Sequence, residues 1–357
     1  MNKIFIVSLI LMILCGCFDQ KNLDDTLYLD SDGKGAKRVS MREFVSGVEL
    51  YPLDTTGNFL LGRVDKLLVT DSLFFVLDNR YTKTLFSFTH SGKGLNKFFN
   101  VGRGALEYTN IEDLALDTSK QQIIILAGIK LIYLDFELKP LKEVVLNQFY
   151  DKCCWENDRL LLYCHHLGEL SYFDEIDNKV KLLQKVPTLK NFVYTRQQMF
   201  YRLGDTCFFS VSGVMSIFSI NNLNVKKWQD IDYKYKDKVL DLYTKKSYSQ
   251  LSSAEIYENP VLEISYMGSY RDSILMFYSC PQFWCKLVDK NDRKSGRNFV
   301  MKDFNAGMGA IVQQENYLFA TTNTLEEWFL QCYSDVLKKK ELIYSENPIL
   351  IKYTLNQ

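Results

Sequence analysis

Histidine is nearly absent from this 357-residue chain, which has only His90, His165 and His166. A nucleophile backed by an imidazole base therefore has little material to draw on. The signatures G-x-S-x-G and H-E-x-x-H and the phosphate-cradling P-loop are missing altogether. Excess positive charge is missing too: 43 Lys and Arg stand against 43 Asp and Glu, so the balance points to no nucleic-acid partner. Past the first twenty residues no run approaches the ~18 apolar residues that cross a bilayer as a helix.

What is present begins with MNKIFIVSLILMILCGCFDQ, where Lys3 precedes an apolar run from Ile4 to Leu14 that is too short to span. Residues 1–16 read as a signal peptide. Leu14-Cys15-Gly16-Cys17 sets a small residue before a cysteine at the end of that run. It resembles the lipobox of bacterial lipoproteins, with Cys17 as the lipidated residue, although Cys15 departs from the small residue usual at its place. An uncleaved anchor and an ordinary secretory signal are the alternatives, and the short apolar run ending at Gly16-Cys17 argues against both. Residues 17–38 are polar, without helical or strand period, and read as a flexible tether before a body at 39–357. Without its leader the chain has 42 basic and 43 acidic residues. The expected address is the cell envelope, on the outer membrane, with periplasmic and surface exposure both open.

The body carries many runs of four to eight residues rich in Val, Ile, Leu, Phe and Tyr, punctuated by Asp, Asn, Gly and Ser, an all-β pattern. Six units emerge, with apolar strands starting near Phe74, Ile123, Leu160, Phe208, Ile274 and Leu318, each after a turn-prone polar pair or triplet. Their separations of 49, 37, 48, 66 and 44 residues centre on the forties, the period of a four-stranded propeller blade. One blade cannot cover both of its apolar faces, so blades stack until a ring closes. The expected fold is all-β, a six-bladed β-propeller of four-stranded antiparallel blades with two short helical insertions. Residues 42–54 alternate like a strand and are expected to close the last blade against Asn347–Leu355.

The first insertion falls in the 66-residue gap, where Val239, Leu242, Tyr243 and Lys246 mark a short helix and Ser252 with Glu255 forms a capping box. The second is Thr324–Lys340, with a Thr324/Glu327 capping box and an apolar face of Leu325, Trp328, Phe329, Cys332, Val336 and Leu337. That face is expected to pack on the propeller; partner docking or a membrane-lying helix is the alternative.

GRGALEYTNIEDLALD, Gly102 to Asp117, resembles the G-x-G-P-x-E-Y segment of the six-bladed β-propeller lipoproteins of Bacteroidetes, relatives of NHL-repeat propellers. Gly102, Gly104, Glu107 and Tyr108 match, while Ala105 replaces the usual proline. Upstream, Thr89-His90-Ser91 stands where that family commonly has an acid. The resemblance implies an envelope propeller and no settled activity. Gly102 and Gly104 are expected to supply positive φ where one blade hands over to the next, with Arg103 pairing to Glu107; a ligand-facing Arg103 is the alternative.

Seven cysteines remain after Cys15 and Cys17. Within CCWENDRLLLYCHH, a two-residue turn at Asn157-Asp158 would set Cys153 opposite Leu162, with Cys164 diagonal to it and His166 beyond on the same face. Three soft ligands on a face are one fewer than a closed zinc site needs, so ordinary packing is favoured over a metal or a Cys153–Cys164 disulfide. A Cys280–Cys285 bond would merely staple a turn. Asp78, Asp113, Asp117 and Asp174 could line a channel, but strand-end aspartates more often serve turns. No catalytic, cofactor or metal residue is assigned. The expectation is a binding or scaffold module for a peptide, glycan or protein partner, with the membrane touched through the lipid only. A lactonase-like hydrolase or lyase with a carboxylate or metal site at the channel mouth is the rival, and a purely structural envelope subunit is a third reading.

Overall fold

A computed structural model describes residues 26–29, 36–189, 198–211, 216–280, 283–292, 296–302, 308–322, 333–336 and 347–356. The signal peptide and Cys17 lie outside these residues, as does most of Thr324–Lys340. The described chain opens with three strands, β1 (Thr26–Tyr28), β2 (Lys37–Val39) and β3 (Val45–Pro52), whose partners come much later in the sequence. Blade A follows as β4 (Lys66–Val69), β5 (Leu73–Asp78), β6 (Thr84–Thr89) and β7 (Gly94–Phe98). Blade B is β8 (Asp113–Asp117), β9 (Gln122–Ala127), β10 (Lys130–Asp135) and β11 (Pro140–Val145), and blade C is β12 (Lys152–Glu156), β13 (Arg159–Cys164), β14 (Glu169–Asp174) and β15 (Lys179–Lys185). Blade D comprises β16 (Phe200–Leu203), β17 (Thr206–Ser210), β18 (Ser216–Asn221) and β19 (Asn224–Asp232). Blade E comprises β20 (Glu263–Tyr270), β21 (Ser273–Ser279), β22 (Phe283–Asp289) and β23 (Gly296–Met301). Blade F takes β24 (Met308–Gln314), β25 (Tyr317–Thr322) and β26 (Ile349–Leu355) from the C-terminal part and β3 from the other end of the chain. The fold is thus a six-bladed β-propeller, and β3 pairs antiparallel with β26, Leu50 opposite Ile351, closing the ring as its alternation foretold.

All six apolar landmarks are second strands, buried on both faces. In β5, Phe74 and Val76 point into the seam with blade F while Phe75 and Leu77 enter the seam with blade B. In β9, Ile123 and Ile125 face blade A and Ile124 and Leu126 face blade C. Six apolar clusters result, one at each seam. Each buried Ile, Leu or Phe contributes about 1.5–3 kcal/mol over its exposed state, so stability is built blade against blade.

The turn-prone pairs close the first hairpins through left-handed backbone. Asn157 (φ 47°) and Asp158 (φ 57°) form a two-residue turn, and Gly204, Arg271 and Glu315 also take positive φ. Cys153 does face Leu162 across that hairpin. At the later hairpin of each blade an oxygen at the strand end caps the turn: Asp174 accepts from the Ile176 and Asp177 amides, and Asp289 from those of Asn291 and Asp292. Thr89 fills this place in blade A, its hydroxyl accepting from the Ser91 and Lys93 amides where relatives carry an acid.

The 66-residue gap holds helices α1 (Lys236–Lys245) and α2 (Ser253–Glu258), the latter with the Ser252/Glu255 capping box. Val239 and Tyr243 of α1 pack on Leu189. Of the second insertion, Tyr333–Val336 is helical, with Tyr333 buried in the E–F seam beside Tyr353 and Arg42 bound to Asp335.

One boundary needs correcting. The segment read as a tether, residues 17–38, contains β1, which pairs in parallel with β19 on blade D, and most of β2, which pairs in parallel with β23 on blade E. Leu27 and Leu29 are fully buried in the D–E seam, and this apolar anchoring overrides the polar composition around them.

Candidate functional site

The inner strands β4, β8, β12, β16, β20 and β24 all run the same way, so their first residues meet at one end of the ring. At that end Lys66 Nζ lies 2.7 Å from Asp113 Oδ1, and Asp113 Oδ2 accepts the Cys153 N–H at 3.0 Å. One carboxylate therefore stitches the starts of three successive inner strands. Burial alone would raise the Asp113 carboxyl, but Lys66, with Lys152 and the amide, holds it below its ordinary value. Burial would likewise lower Lys66, and Asp113 outweighs it and holds the ammonium charged. Glu263, at the start of β20, is different: burial pushes its carboxyl up, with no charged partner to offset the effect.

The other strand-end aspartates expected near a channel serve turns. Asp78 accepts from the Gly62 and Tyr81 amides, and Asp117 from the Ser119 and Lys120 amides and the Ser119 hydroxyl. Among the described residues, no three His, Cys, Asp or Glu side chains stand together as a metal site. In the cysteine-rich hairpin, Cys153 and Cys164 pack in the B–C seam as free thiols and Cys154 packs on the opposite face. His165 is buried, its ring bonded to the Leu189 carbonyl and the Thr188 hydroxyl. His90 stacks on Phe74 and reaches the Thr70 carbonyl.

The Gly102–Tyr108 segment proves to be a clamp between blades A and B. Glu107 Oε2 accepts the Gly104 N–H at 2.6 Å, Glu143 accepts the Leu106 N–H at 2.6 Å, and Lys130 donates to the Gly104 carbonyl at 2.7 Å. The expected reasons need revision. Positive φ falls on Leu106 (61°), not on Gly102 or Gly104. Gly102 is required for close approach, because a Cβ there would sit 2.0 Å from the Glu107 carboxylate. Arg103 is exposed and stands outside the clamp; the partner expected for it, Glu107, is engaged by backbone instead.

The same end of the ring carries the loops between second and third strands and those linking successive blades. Here eight of the fourteen exposed large apolar residues gather: Leu60, Tyr81, Phe99, Val101, Ile129, Phe149, Leu167 and Tyr257. They come in loop pairs. Tyr81 lies over Gly62 beside Leu60, with the Arg80 guanidinium 5.8 Å from its ring centroid, and Phe149 lies over Gly128 beside Ile129. Gly128 (φ 67°) and Gly168 (φ 64°) make equivalent turns in blades B and C, each carbonyl accepting an amide from the following inter-blade loop. The result is a rigid loop face that is apolar and aromatic at its rim and has Lys66, Lys152 and Glu263 nearer the axis. Sequence reasoning missed this face, and the signal available was the single apolar residue in otherwise polar loops.

These features define a six-bladed propeller with a ligand-accessible loop face and a structurally committed channel mouth. The chain belongs to the family described as a domain of unknown function, DUF4934, whose model matches residues 27–354 and so takes in β1. No curated protein matches it. Among solved structures it is similar to a protein of Bacteroides fragilis NCTC 9343 described as exported, at TM-score 0.66 and 15% identity over 93% of this chain and 99% of that one. A DUF4221-family member from Bacteroides vulgatus is similar at TM-score 0.57 and 10% identity, over 87% and 97%. At such identities the likeness is one of fold.

Proposed function

We propose that this chain is a binding or scaffold module of the cell envelope, anchored by lipid at Cys17 on the outer membrane, whose loop face recognises a peptide, glycan or partner protein. The observation that carries the reading is the gathering of exposed apolar and aromatic side chains on the loops of one face. Such rings bury large area at low entropy cost, and loops on a rigid scaffold are the usual place for recognition. The rival hydrolase needs free carboxylates at the mouth, and Asp113 is committed to Lys66 and the Cys153 amide. The lipobox, the Bacteroidetes-type segment and the exported structural neighbour support the address.

The test is a glycan and peptide array probed with a body that keeps β1, starting at or before Thr26. A ligand bound by the parent and lost in Tyr81→Ala supports the reading; turnover of a lactone or glycoside with no retained ligand contradicts it. Fatty-acid labelling that disappears in Cys17→Ser tests the anchor.

A further inference from the structure

The seam between blades C and D differs from the other five. Neighbouring inner strands lie side by side elsewhere around the ring, whereas β12 and β16 scarcely approach each other. Polar contacts across this seam are incomplete as well. Arg202 of β16 reaches Glu156 of β12 only at 3.9 Å, and Glu156 Oε1 is buried without a hydrogen-bond partner. In the same seam Cys154, half-buried on β12, packs into the cluster that holds Cys207 of β17, and the two thiols hydrogen-bond. Both are free.

We propose that Cys154 and Cys207 are an oxidation site, forming an inter-blade disulfide that closes the seam when the chain meets a disulfide-donating oxidant such as that of an oxidising envelope. The other pairings are worse placed. Cys153 and Cys154 are adjacent on one strand and point to opposite faces. Cys153 and Cys164 are diagonal neighbours rather than opposite, about 7–8 Å apart, at the limit of what a disulfide spans. The half-buried Cys154 reacts first. Its thiolate attacks one sulfur of the oxidant R–S–S–R, forming a mixed disulfide and releasing RS⁻. Cys207 then gives up its proton and attacks the Cys154 sulfur, releasing the second RS⁻. Two protein thiols are oxidised, one oxidant disulfide is reduced to two thiols, and two protons are released. Because burial raises the Cys207 thiol, the second step is slow in the folded chain and fastest while the seam is still forming.

The experiment compares the full-length chain purified under reductant with the same chain folded or refolded in oxidised glutathione. The expected result is a loss of two thiols, a peptide map joining the segments around Cys154 and Cys207, and a higher unfolding temperature than the reduced chain. Cys207→Ser and, should that variant misfold, the half-buried Cys154→Ser abolish all three changes, while Cys153→Ser leaves them intact. A map joining Cys153 to Cys164 or Cys280 to Cys285, or unchanged thiols after both folding and refolding in the oxidant, overturns the proposal.

Discussion

Blades A to C and blades D to F solve the problem of the outer edge differently. The first three are continuous in sequence, and their outermost strands β7, β11 and β15 end the sheet. In the other three the N-terminal segment supplies the rim: β1 lies on blade D, β2 on blade E and β3 within blade F. The chain therefore straps half the ring before it enters blade A. The unstrapped half compensates from within, with the Lys66–Asp113–Cys153 stitch and the Glu107 clamp joining consecutive blades. Long-range pairing holds one half and short polar bridges hold the other.

The largest expected effect comes from removing the strap's last strand. Deleting residues 40–54 leaves β26 unpaired and strips Leu50 and Phe44 from their seam, so cooperative thermal unfolding by circular dichroism should vanish. A transition at the parent temperature would break the comparison. Next, Asp113→Asn should cost about 3 kcal/mol in urea unfolding, because it leaves a buried ammonium without its countercharge. The pH dependence has a definite sign. Asp113 is depressed below its ordinary value of 3.8, so its stabilisation is complete above that pH and is lost as pH falls toward the folded value. Asp113→Asn should flatten that acid limb.

Truncation to residue 36 should cost about 2–5 kcal/mol through lost burial of Leu27 and Leu29, while leaving the ring folded. Hydrogen exchange should then rise in blade D and not in blades A to C. The smallest effect belongs to Arg103→Ala, expected to stay within about 0.5 kcal/mol, against a clear loss for Glu107→Ala. Equal losses for the two would restore a structural role for Arg103.

The contrast also explains what the sequence disclosed. Second strands such as FFVLD and IIILA are legible because both of their faces are buried. The closing strand β3 is legible because it alternates over eight residues. By contrast, β1 and β2 have three residues each and pair with strands about two hundred residues or more away, so no local period marks them. Leu27 and Leu29 in TLYL were the one available hint. The loop face was hidden for a related reason: Tyr81, Ile129 and Phe149 lie in separate loops, and only the ring brings them to one surface. Glycine at Gly102 was correctly singled out, but for a backbone angle it does not adopt; the cause is a carboxylate folded back from Glu107.

The central claim is recognition by the loop face, and amide exchange with and without an array-selected ligand addresses it most directly. Protection is predicted in the loops around residues 59–63, 79–83, 128–130, 147–150 and 165–168. Protection confined to the opposite face, at the hairpin turns around residues 70–72, 157–159 and 271–272, would contradict it.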